Sequence, residues 1–340
     1  MLKIGIICPS EIAFRRFLPA LKKIKEIEFI GVGIPNVEER FGDDQLSDEI
    51  TNEILANERT KAQDIISQFG GKLFESYLAI ASSPEIDALY IPLPPALHYQ
   101  WAKFALENGK HVLLEKPSTV KSSDSVNLVE IAKQKGLALH ENYMFQFHEQ
   151  LDVIKETVIA GEIGDIRLYR LAFGFPKRAT GDFRYVKELG GGALLDAGGY
   201  TVKYATMLLG ETAKIACSQL NYTEEFDVDL FGSATMVNDD GVVVQFAFGM
   251  DNNYKNEIEV WGSKGTIYSG RVLTAPDGLT PNMIIRKGND EEVRDLPADD
   301  TFKKSIGYFL DCISNNDIRN ESYKNIINQA KLIDCFFANN

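Results

Sequence analysis

Short apolar runs alternate with helical patterns over the first 120 residues, and this alternation limits the possible folds more than any other feature. The apolar runs lie at Ile4–Ile7, Phe29–Ile34, Ala88–Leu93 and Val112–Leu114. Helical periodicity fills the segments Ile12–Lys25, Lys61–Phe69 and Tyr99–Asn108. Such short apolar strands need helices on both faces, which is the arrangement of a doubly wound parallel sheet. We therefore predict an α/β protein whose first domain, residues 1–121, is a Rossmann-type dinucleotide-binding domain.

The pattern changes after Ser122, where longer alternating strands replace the short apolar runs. Helices are predicted at Ser123–Lys135, Gln150–Ala160, Thr301–Ser314 and Ser322–Phe337. The segment NDDG between two of the strands is typical of a hairpin turn. We predict a second domain, residues 122–340, an α+β domain with a large open, mostly antiparallel sheet. One exposed face of such a sheet would be a large apolar patch, so we expect a homodimer or homotetramer through it.

Composition excludes several function classes. The net charge of −13 argues against nucleic acid as a partner, because phosphates demand a basic face. No apolar run reaches the ~18 residues of a membrane span, and the sequence MLK enters a strand directly, without a signal-peptide layout. Four scattered cysteines have neither metal-ligand nor CxxC spacing, so we expect no metal and buried free thiols in the cytoplasm.

The turn CPSEIA follows the first strand, where a dinucleotide-binding loop normally reads GxGxxG or GxGxxA. Cys8, Ser10 and Ala13 stand at the three glycine or alanine places. A loop without glycine is expected to approach a pyrophosphate less closely, and Pro9 removes a backbone donor. Amides of the helix start, the Ser10 hydroxyl or an arginine could still bind phosphate. The candidate cofactor residues here are Cys8, Pro9, Ser10, Glu11, Ile12, Arg15 and Arg16.

The end of the second strand normally carries an acidic residue that binds the adenosine ribose. Ile34 occupies that place, which disfavours strict selection of NAD. Arg40, Arg59 or Lys61 are candidates for a contact with a 2′-phosphate. The acidic segment at about residues 37–60 is longer than a compact connection needs. It is either a solvated surface excursion or a cap near the adenosine end of the cofactor.

A proline-rich loop follows the predicted strand at Ala88–Leu93, and a charged pair follows the predicted strand at Val112–Leu114. Pro92, Leu93 and His98 lie in or just after the loop, and Glu115 and Lys116 close the strand HVLL. Ligands of doubly wound sheets bind beyond the carboxyl ends of the strands. A charged pair there is costly unless it is solvated or functional. We assign these five residues to the cofactor site, with a structural salt bridge at the rim as the alternative.

Several segments together resemble one known family. GKHVLLEKP and LHYQWAKFAL match the nicotinamide-side motif of the glucose–fructose oxidoreductase / inositol dehydrogenase (Gfo/Idh/MocA) family of NAD(P)-dependent sugar oxidoreductases. RRFLPAL, ENYMFQFHEQLDVIKETVIAGEIGDIRLYR and FGMDNNYKNEIEVWGSKGTIYSGRVLTAP are similar to its branch of 3-ketoreductases that act on nucleotide-linked deoxysugars. The resemblance spans nearly the whole chain.

The resemblance implies two catalytic residues. Much of the family has a histidine in the motif DxGxH, whereas this chain reads Asp196-Ala-Gly-Gly-Tyr200, as the ketoreductase and glucose–fructose branches do. A phenol, with a pKa of ~10 in water, suits proton donation to a carbonyl. A nearby ammonium favours the phenolate and polarises the carbonyl oxygen. We expect Tyr200 to act as acid/base and Lys116 as its electrostatic partner; without the resemblance, Tyr200 would be read as a packed aromatic.

Further residues are predicted to bind the substrate. Asp196 lies four residues before Tyr200, on the same face if the segment is helical, and is expected to orient substrate hydroxyls or Lys116. Arg184 either reaches a substrate phosphate or forms a surface ion pair. The candidate substrate residues are Asn142, Tyr143, Arg184, Asp196, Asn253 and Tyr254. Gln146 stands where the branch commonly has arginine, which leaves the sugar open.

The predicted function is hydride transfer between nicotinamide and a sugar carbon, with a nucleotide-linked sugar as substrate. NADP or NAD is the expected cofactor, and the missing ribose carboxylate favours NADP. One alternative is a dehydrogenase of a free sugar, polyol or dihydrodiol. A second is a non-catalytic scaffold that binds a sugar or partner, which the glycine-free loop and Ile34 would suit.

Overall fold

The structure, a computed structural model, describes residues 1–41, 47–179 and 181–338. Within these ranges the strands are β1 Leu2–Ile7, β2 Ile27–Gly33, β3 Lys72–Phe74, β4 Ala88–Ile91, β5 His111–Leu114, β6 Leu139–Glu141, β7 Ile166–Gly174, β8 Lys214–Thr223, β9 Phe226–Val237, β10 Val243–Gly249, β11 Lys255–Gly262, β12 Thr266–Gly270, β13 Asn282–Lys287 and β14 Asp290–Asp295. The α-helices are α1 Leu18–Leu21, α2 Val37–Phe41, α3 Asp48–Phe69, α4 Tyr77–Ser82, α5 Pro95–Glu107, α6 Ser122–Lys135, α7 Glu149–Ile159, α8 Gly199–Leu209, α9 Thr301–Ser314 and α10 Asn316–Ala338.

The chain forms two compact units. The first comprises Met1–Thr119, Ser123–Asn142 and Phe302–Ile327, and the second comprises Val120–Ser122, Tyr143–Thr301 and the described residues from Asn328 onward. Each unit therefore takes segments from both sides of residue 121. The division into domains at residues 121 and 122 stays a prediction.

The first unit contains a six-stranded parallel sheet in the order β3-β2-β1-β4-β5-β6. The apolar runs seen in the sequence form its inner strands, and Ile4, Ile6, Leu89 and Leu113 are fully buried. The strand order reverses between β1 and β4, which opens a crevice at their carboxyl ends. The predicted Rossmann-type fold is confirmed.

The differences from prediction lie in short or polar segments. β3, of three residues, was not predicted, because so short a strand has no period to detect. The first helix ends at Leu21 rather than Lys25. The acidic segment is largely helical, since α3 begins at Asp48 rather than Lys61; its residues 42–46 lie outside the described residues.

The second unit contains an eight-stranded sheet in the order β14-β13-β12-β11-β7-β10-β9-β8. β7 and β10 pair in parallel and the other neighbours are antiparallel, which confirms the predicted mostly antiparallel sheet. The turn NDDG connects β9 to β10, as expected. Phe246 and Phe248 on the inner face pack against Phe336 of α10. The opposite, outer face carries a depression of about 540 Å³ lined by Arg170, Ser233, Gln245, Ala247, Glu257 and Glu259, among others.

Several expectations from composition can be compared with the described part of the chain. None of its helices is long and apolar enough to cross a membrane. The four thiols are free, and Cys312 is buried, but Cys217 and Cys335 are exposed, so the expectation of buried thiols was wrong for these two. The cytoplasmic location stays a prediction.

Candidate active site

The turn after β1 adopts the backbone conformation that glycine usually supplies. Cys8 has a φ of +81°, in the left-handed region. Its amide donates to the Gly33 carbonyl at 3.1 Å, and its carbonyl accepts from the Ser10 amide at 2.9 Å. Burial raises the pKa of the Cys8 thiol to about 12, so the thiol stays protonated. The sequence thus lacks the first glycine while the turn keeps the corresponding dihedral angle.

Ser10 caps the helix that follows this turn. Its Oγ accepts from the Ala13 amide at 3.2 Å, and its carbonyl accepts from the Phe14 amide at 3.1 Å. The chain is helical from Glu11 to Leu21, with a π-helical turn at Ala13–Phe17. The amides of Glu11 and Ile12 lie in the first helical turn, where backbone donors have no partner within the helix. Such a helix start favours a phosphate group.

Arg15, Arg16 and Ile34 each have protein neighbours. Arg15 pairs with Glu11 at 2.8 Å on the exposed surface, and the Arg16 guanidinium lies 5.3 Å from the centre of the Phe302 ring. Ile34 is 4% exposed, and its amide donates to the Phe74 carbonyl. Phosphate binding by either arginine stays a prediction.

The three cations named for the adenosine end differ in their surroundings. Arg59 forms a bidentate pair with Glu75, and Lys61 pairs with Glu58 at 2.9 Å. Arg40 lies on α2, directly after β2. The charges of Lys61 and Arg40 both act on the Cys8 thiol of the turn. From the sequence, Arg40, Arg59 and Lys61 were equal candidates. The position of Arg40 directly after β2 distinguishes it from the other two.

His98 contacts the two loops that follow β4 and β5 in the first unit. Its Nδ1 lies 2.8 Å from the Pro117 carbonyl oxygen and its Nε2 lies 2.7 Å from the Leu93 carbonyl oxygen. Burial lowers the pKa of His98 to about 4, so the neutral ring has one N–H to donate to one of these carbonyls at a time. His98 therefore packs Leu93 and the loop after Glu115-Lys116 together.

Glu115 is held from three sides. Its Oε1 accepts from the Tyr90 hydroxyl at 2.6 Å and from Asn142 Nδ2 at 2.7 Å, and its Oε2 lies 3.3 Å from the Lys116 amide. A second carboxylate, Glu141, accepts from the Ser118 amide at 2.6 Å. These contacts fix the backbone on both sides of Lys116.

Tyr200 lies among aromatic rings in the second unit. It is 7% exposed, and its ring centre is 5.3 Å from Tyr143, 5.7 Å from Phe145 and 5.2 Å from Phe173. Its hydroxyl lies 3.9 Å from Met144 Sδ, a weak acceptor. This packing fixes the direction of the phenol.

The glycines before Tyr200 allow close packing. A Cβ added to Gly199 would lie 2.1 Å from the Tyr143 hydroxyl oxygen, and one added to Gly198 would lie 3.0 Å from the Phe248 ring. The Gly199 carbonyl accepts from Gln329 Nε2 at 2.8 Å. Helical structure runs through both glycines, since a π-helical turn at Leu194–Gly198 leads directly into α8.

Arg184 and Asp196 are brought together. Arg184 Nε donates to Asp196 Oδ2 at 2.6 Å, and its Nη1 donates to Asp182 Oδ1 at 3.0 Å. Two carboxylates thus contact the one guanidinium, which leaves one negative charge in excess. The Asp196 carboxylate is oriented by this pair, and phosphate binding by Arg184 stays a prediction.

The remaining predicted substrate residues differ in exposure. Asn142 is 1% exposed, and both ends of its amide have protein partners. Tyr143 is fully buried against Tyr200. Asn253 is exposed, and the Tyr254 hydroxyl accepts from Arg271 Nη1 at 2.6 Å. Their roles in substrate binding stay predictions.

Asp229, which the sequence did not single out, holds the start of the Tyr200 helix. It is 3% exposed on β9, and its Oδ2 accepts from the Leu194 amide at 2.7 Å. Gly192 has a φ of +119°, and a Cβ there would lie 2.5 Å from Asp229 Oδ1. Burial raises the pKa of Asp229 to about 6. A lone aspartate in an alternating strand gives no sequence signal for this role.

The amino-acid sequence matches known protein families and individual enzymes over most of its length. The model of the oxidoreductase family with an NAD-binding Rossmann fold matches residues 24–143, and the model of the GFO/IDH/MocA C-terminal domain matches residues 152–268. The dTDP-3,4-didehydro-2,6-dideoxy-alpha-D-glucose 3-reductases of Actinomadura kijaniata and Saccharopolyspora spinosa are both 34% identical to it. Each alignment covers 98% of this chain, and 94% and 96% of the respective relatives.

A solved structure is similar over the same length. The crystal structure of a 3-ketoreductase from Actinomadura kijaniata in complex with NADP and TDP-benzene has a TM-score of 0.89 and 32% sequence identity. The match covers 99% of this chain and 97% of that one.

Asp229→Asn tests the buried carboxylate. Ionising Asp229 costs more in the folded than in the unfolded state, so its contribution to stability falls as pH rises from 3.8 to about 6. The asparagine keeps an acceptor for Leu194 and removes the charge. We expect its stability relative to the parent protein to rise over this pH interval and then level off, by up to ~3 kcal/mol.

Urea unfolding from pH ~4 to ~7 measures this difference. Asp240→Asn, at an exposed turn, is the matched control and should show no such rise. A difference between Asp229→Asn and the parent protein that is flat with pH would contradict the assignment.

Proposed function

We propose a function from one premise: the chain belongs to the GFO/IDH/MocA family of oxidoreductases, with an NAD-binding Rossmann domain and the family's C-terminal domain. It is an oxidoreductase, and the predictions of family, fold class and enzyme class are confirmed. The finer assignment is a cytoplasmic, NADP-dependent 3-ketoreductase of a deoxysugar linked to a nucleoside diphosphate. Near full-length similarity to dTDP-sugar 3-reductases, at 34% identity, is the observation that carries it.

The turn after β1 fits a dinucleotide. The left-handed Cys8 lets the backbone turn without glycine, Ser10 caps the helix, and the amides of Glu11 and Ile12 lie at its positive end. These groups would hold the pyrophosphate, and NADPH when bound supplies a hydride. The loops at Leu93 and Lys116, which His98 packs together, would line the nicotinamide end.

The chain's own residues must protonate the sugar oxygen and stabilise the charge that develops on it. As the carbonyl carbon gains a hydride, the C=O π bond breaks and its oxygen takes a proton to become a hydroxyl. Tyr200 donates this proton from its Oη, and the Lys116 ammonium stabilises the oxygen and the resulting phenolate. Asp196, oriented by Arg184, accepts a hydrogen bond from a sugar hydroxyl, and Asn253 and Tyr254 contribute to the substrate side.

Tyr200→Phe tests the catalytic assignment. We expect turnover of dTDP-3,4-didehydro-2,6-dideoxy-α-D-glucose with NADPH to fall ~100-fold or more, because the general acid is lost while the ring packing remains. The NADPH dissociation constant, measured by fluorescence, should not change. Tyr204→Phe, which removes another buried phenol from α8, is the matched control and should keep full turnover.

Three results would contradict parts of this proposal. Unchanged turnover in Tyr200→Phe would remove Tyr200 from the mechanism. Turnover by the parent protein of a free sugar, polyol or dihydrodiol, and not of the nucleotide-linked substrate, would favour the alternative dehydrogenase. If neither NADPH nor NADH raises the melting temperature, the chain is a scaffold without cofactor.

Arg40→Ala tests cofactor choice. Arg40 follows β2, where the adenosine ribose of a bound dinucleotide lies in this fold. Loss of a charge-assisted contact with the 2′-phosphate should raise the KM for NADPH by ~10-fold or more and leave that for NADH unchanged. Arg59→Ala, whose guanidinium is paired with Glu75, is the matched control. Equal effects on NADPH and NADH would exclude Arg40 as the determinant.

We also propose that two copies associate through the outer face of the eight-stranded sheet. Phe231 on β9, Trp261 on β11 and Val293 on β14 are exposed large apolar side chains of this sheet. Light scattering should give at least a dimer for the parent protein, and Ala247→Arg, within the outer depression, should yield monomers. A monomeric parent protein, or an unchanged mass for Ala247→Arg, would contradict this.

A further inference from the structure

A continuous row of hydrogen bonds runs through the first unit from α9 to Glu115. The Ser305 hydroxyl of α9 donates to Asn142 Oδ1 at 2.7 Å, and Asn142 Nδ2 donates to Glu115 Oε1 at 2.7 Å. His140 Nε2 lies 3.1 Å from Ser305 Oγ. His140, Asn142 and Ser305 are at most 3% exposed, so water does not substitute for these contacts. Ser305 comes from a part of the chain 163 residues after Asn142.

The carboxylate of Glu115, at the end of the row, determines which group donates and which accepts in each hydrogen bond. An ionised carboxylate only accepts, so the Asn142 amide must turn its nitrogen to Glu115 and its oxygen to Ser305. The Ser305 hydroxyl has one proton, which it donates to Asn142 Oδ1. Ser305 Oγ must therefore accept the hydrogen bond from His140 Nε2. His140 must therefore carry its proton on Nε2. Its ring also lies 5.0 Å from Tyr308, one turn after Ser305 on α9.

The groups around Glu115 decide whether it keeps its charge. Tyr90 faces it from β4, Asn142 from the end of β6, and Lys116 is the charged neighbour. Burial raises the pKa of the Glu115 carboxyl, and the hydrogen bonds from Tyr90 and Asn142 oppose this rise. If the Asn142 amide turned over, its oxygen would face the carboxylate and a donor would become a repulsive contact.

We infer that Ser305 is a positioning residue: by fixing the Asn142 amide, it keeps Glu115 ionised beside Lys116. The negative charge of Glu115 attracts the neighbouring Lys116 ammonium and orients it for charge stabilisation at the sugar oxygen. Ser305 acts through Asn142 and Glu115. The kinetic part of this inference rests on the proposed reductase function, and the protonation state of Glu115 does not.

The experiment compares Ser305→Ala with the parent protein in two measurements. The first is the carboxyl titration of Glu115, followed by NMR with ¹³C-labelled glutamate and assigned with Glu115→Gln. Without the Ser305 hydroxyl the Asn142 amide is free to turn over, and loss of its donor to Glu115 should move the Glu115 midpoint upward by about one pH unit. The second is the pH profile of kcat/KM for the dTDP-ketosugar, whose acid limb should move upward by a similar amount.

Two further variants make the result specific. Ser305→Thr keeps the hydroxyl and should restore both midpoints. Ser322→Ala removes another buried serine hydroxyl of this unit, which donates to the Leu139 carbonyl at 2.9 Å, outside the row to Glu115. It should leave both midpoints unchanged, although it lowers stability. If Ser305→Ala does not fold, Ser305→Cys, whose thiol is a weaker donor of similar size, should give a smaller upward shift.

The outcomes separate the two proposals. A Glu115 midpoint that is equal in the parent protein and the folded Ser305 variant, or that moves equally in Ser322→Ala, overturns the positioning role. Absence of reductase activity in the parent protein overturns the proposed function, and the NMR titration still decides the inference. A shifted NMR midpoint with an unshifted kinetic profile overturns the link from Glu115 to Lys116.

Discussion

A carboxylate at the end of a buried strand keeps its charge only if donors surround it, and this requirement organises the first unit. Glu115 directly follows β5. Tyr90 of β4, Asn142 directly after β6 and Ser305 of α9 form the hydrogen bonds that hold it. The last strand of the sheet and a helix from late in the chain are thereby coupled to one side chain. Desolvation makes any missing partner expensive, so the row is satisfied throughout.

In the second unit, packing against aromatic rings positions the Tyr200 phenol. Three aromatic rings and a thioether pack around Tyr200 and orient it. Gly199 permits this arrangement because a side chain there would collide with Tyr143. The polar support lies at the helix start, where Asp229 accepts from the Leu194 amide. Packing fixes the ring, and electrostatics fixes the helix that carries it.

The sequence predicted what is encoded locally. Apolar runs such as Ile4–Ile7 produced the correct sheet type, and the segments around Glu115-Lys116 and Asp196 to Tyr200 led to the family. The three-residue strand β3 was not predicted because it has no measurable period. Ser305, His140 and Asp229 escaped because each depends on a partner distant in sequence. An ion pair was one of the two alternatives for Arg184, but its partners Asp182 and Asp196 follow from side-chain geometry that residue type does not determine.

The turn after β1 has a consequence for how cofactor sites are recognised. Cys8 takes a positive φ although it has a side chain, and that side chain is accommodated beside Tyr77 of α4. A motif search that counts glycines discards such a chain, whereas a comparison of backbone torsions retains it. In this chain the dihedral angle is kept without the glycine, because the neighbouring helix leaves room for a Cβ.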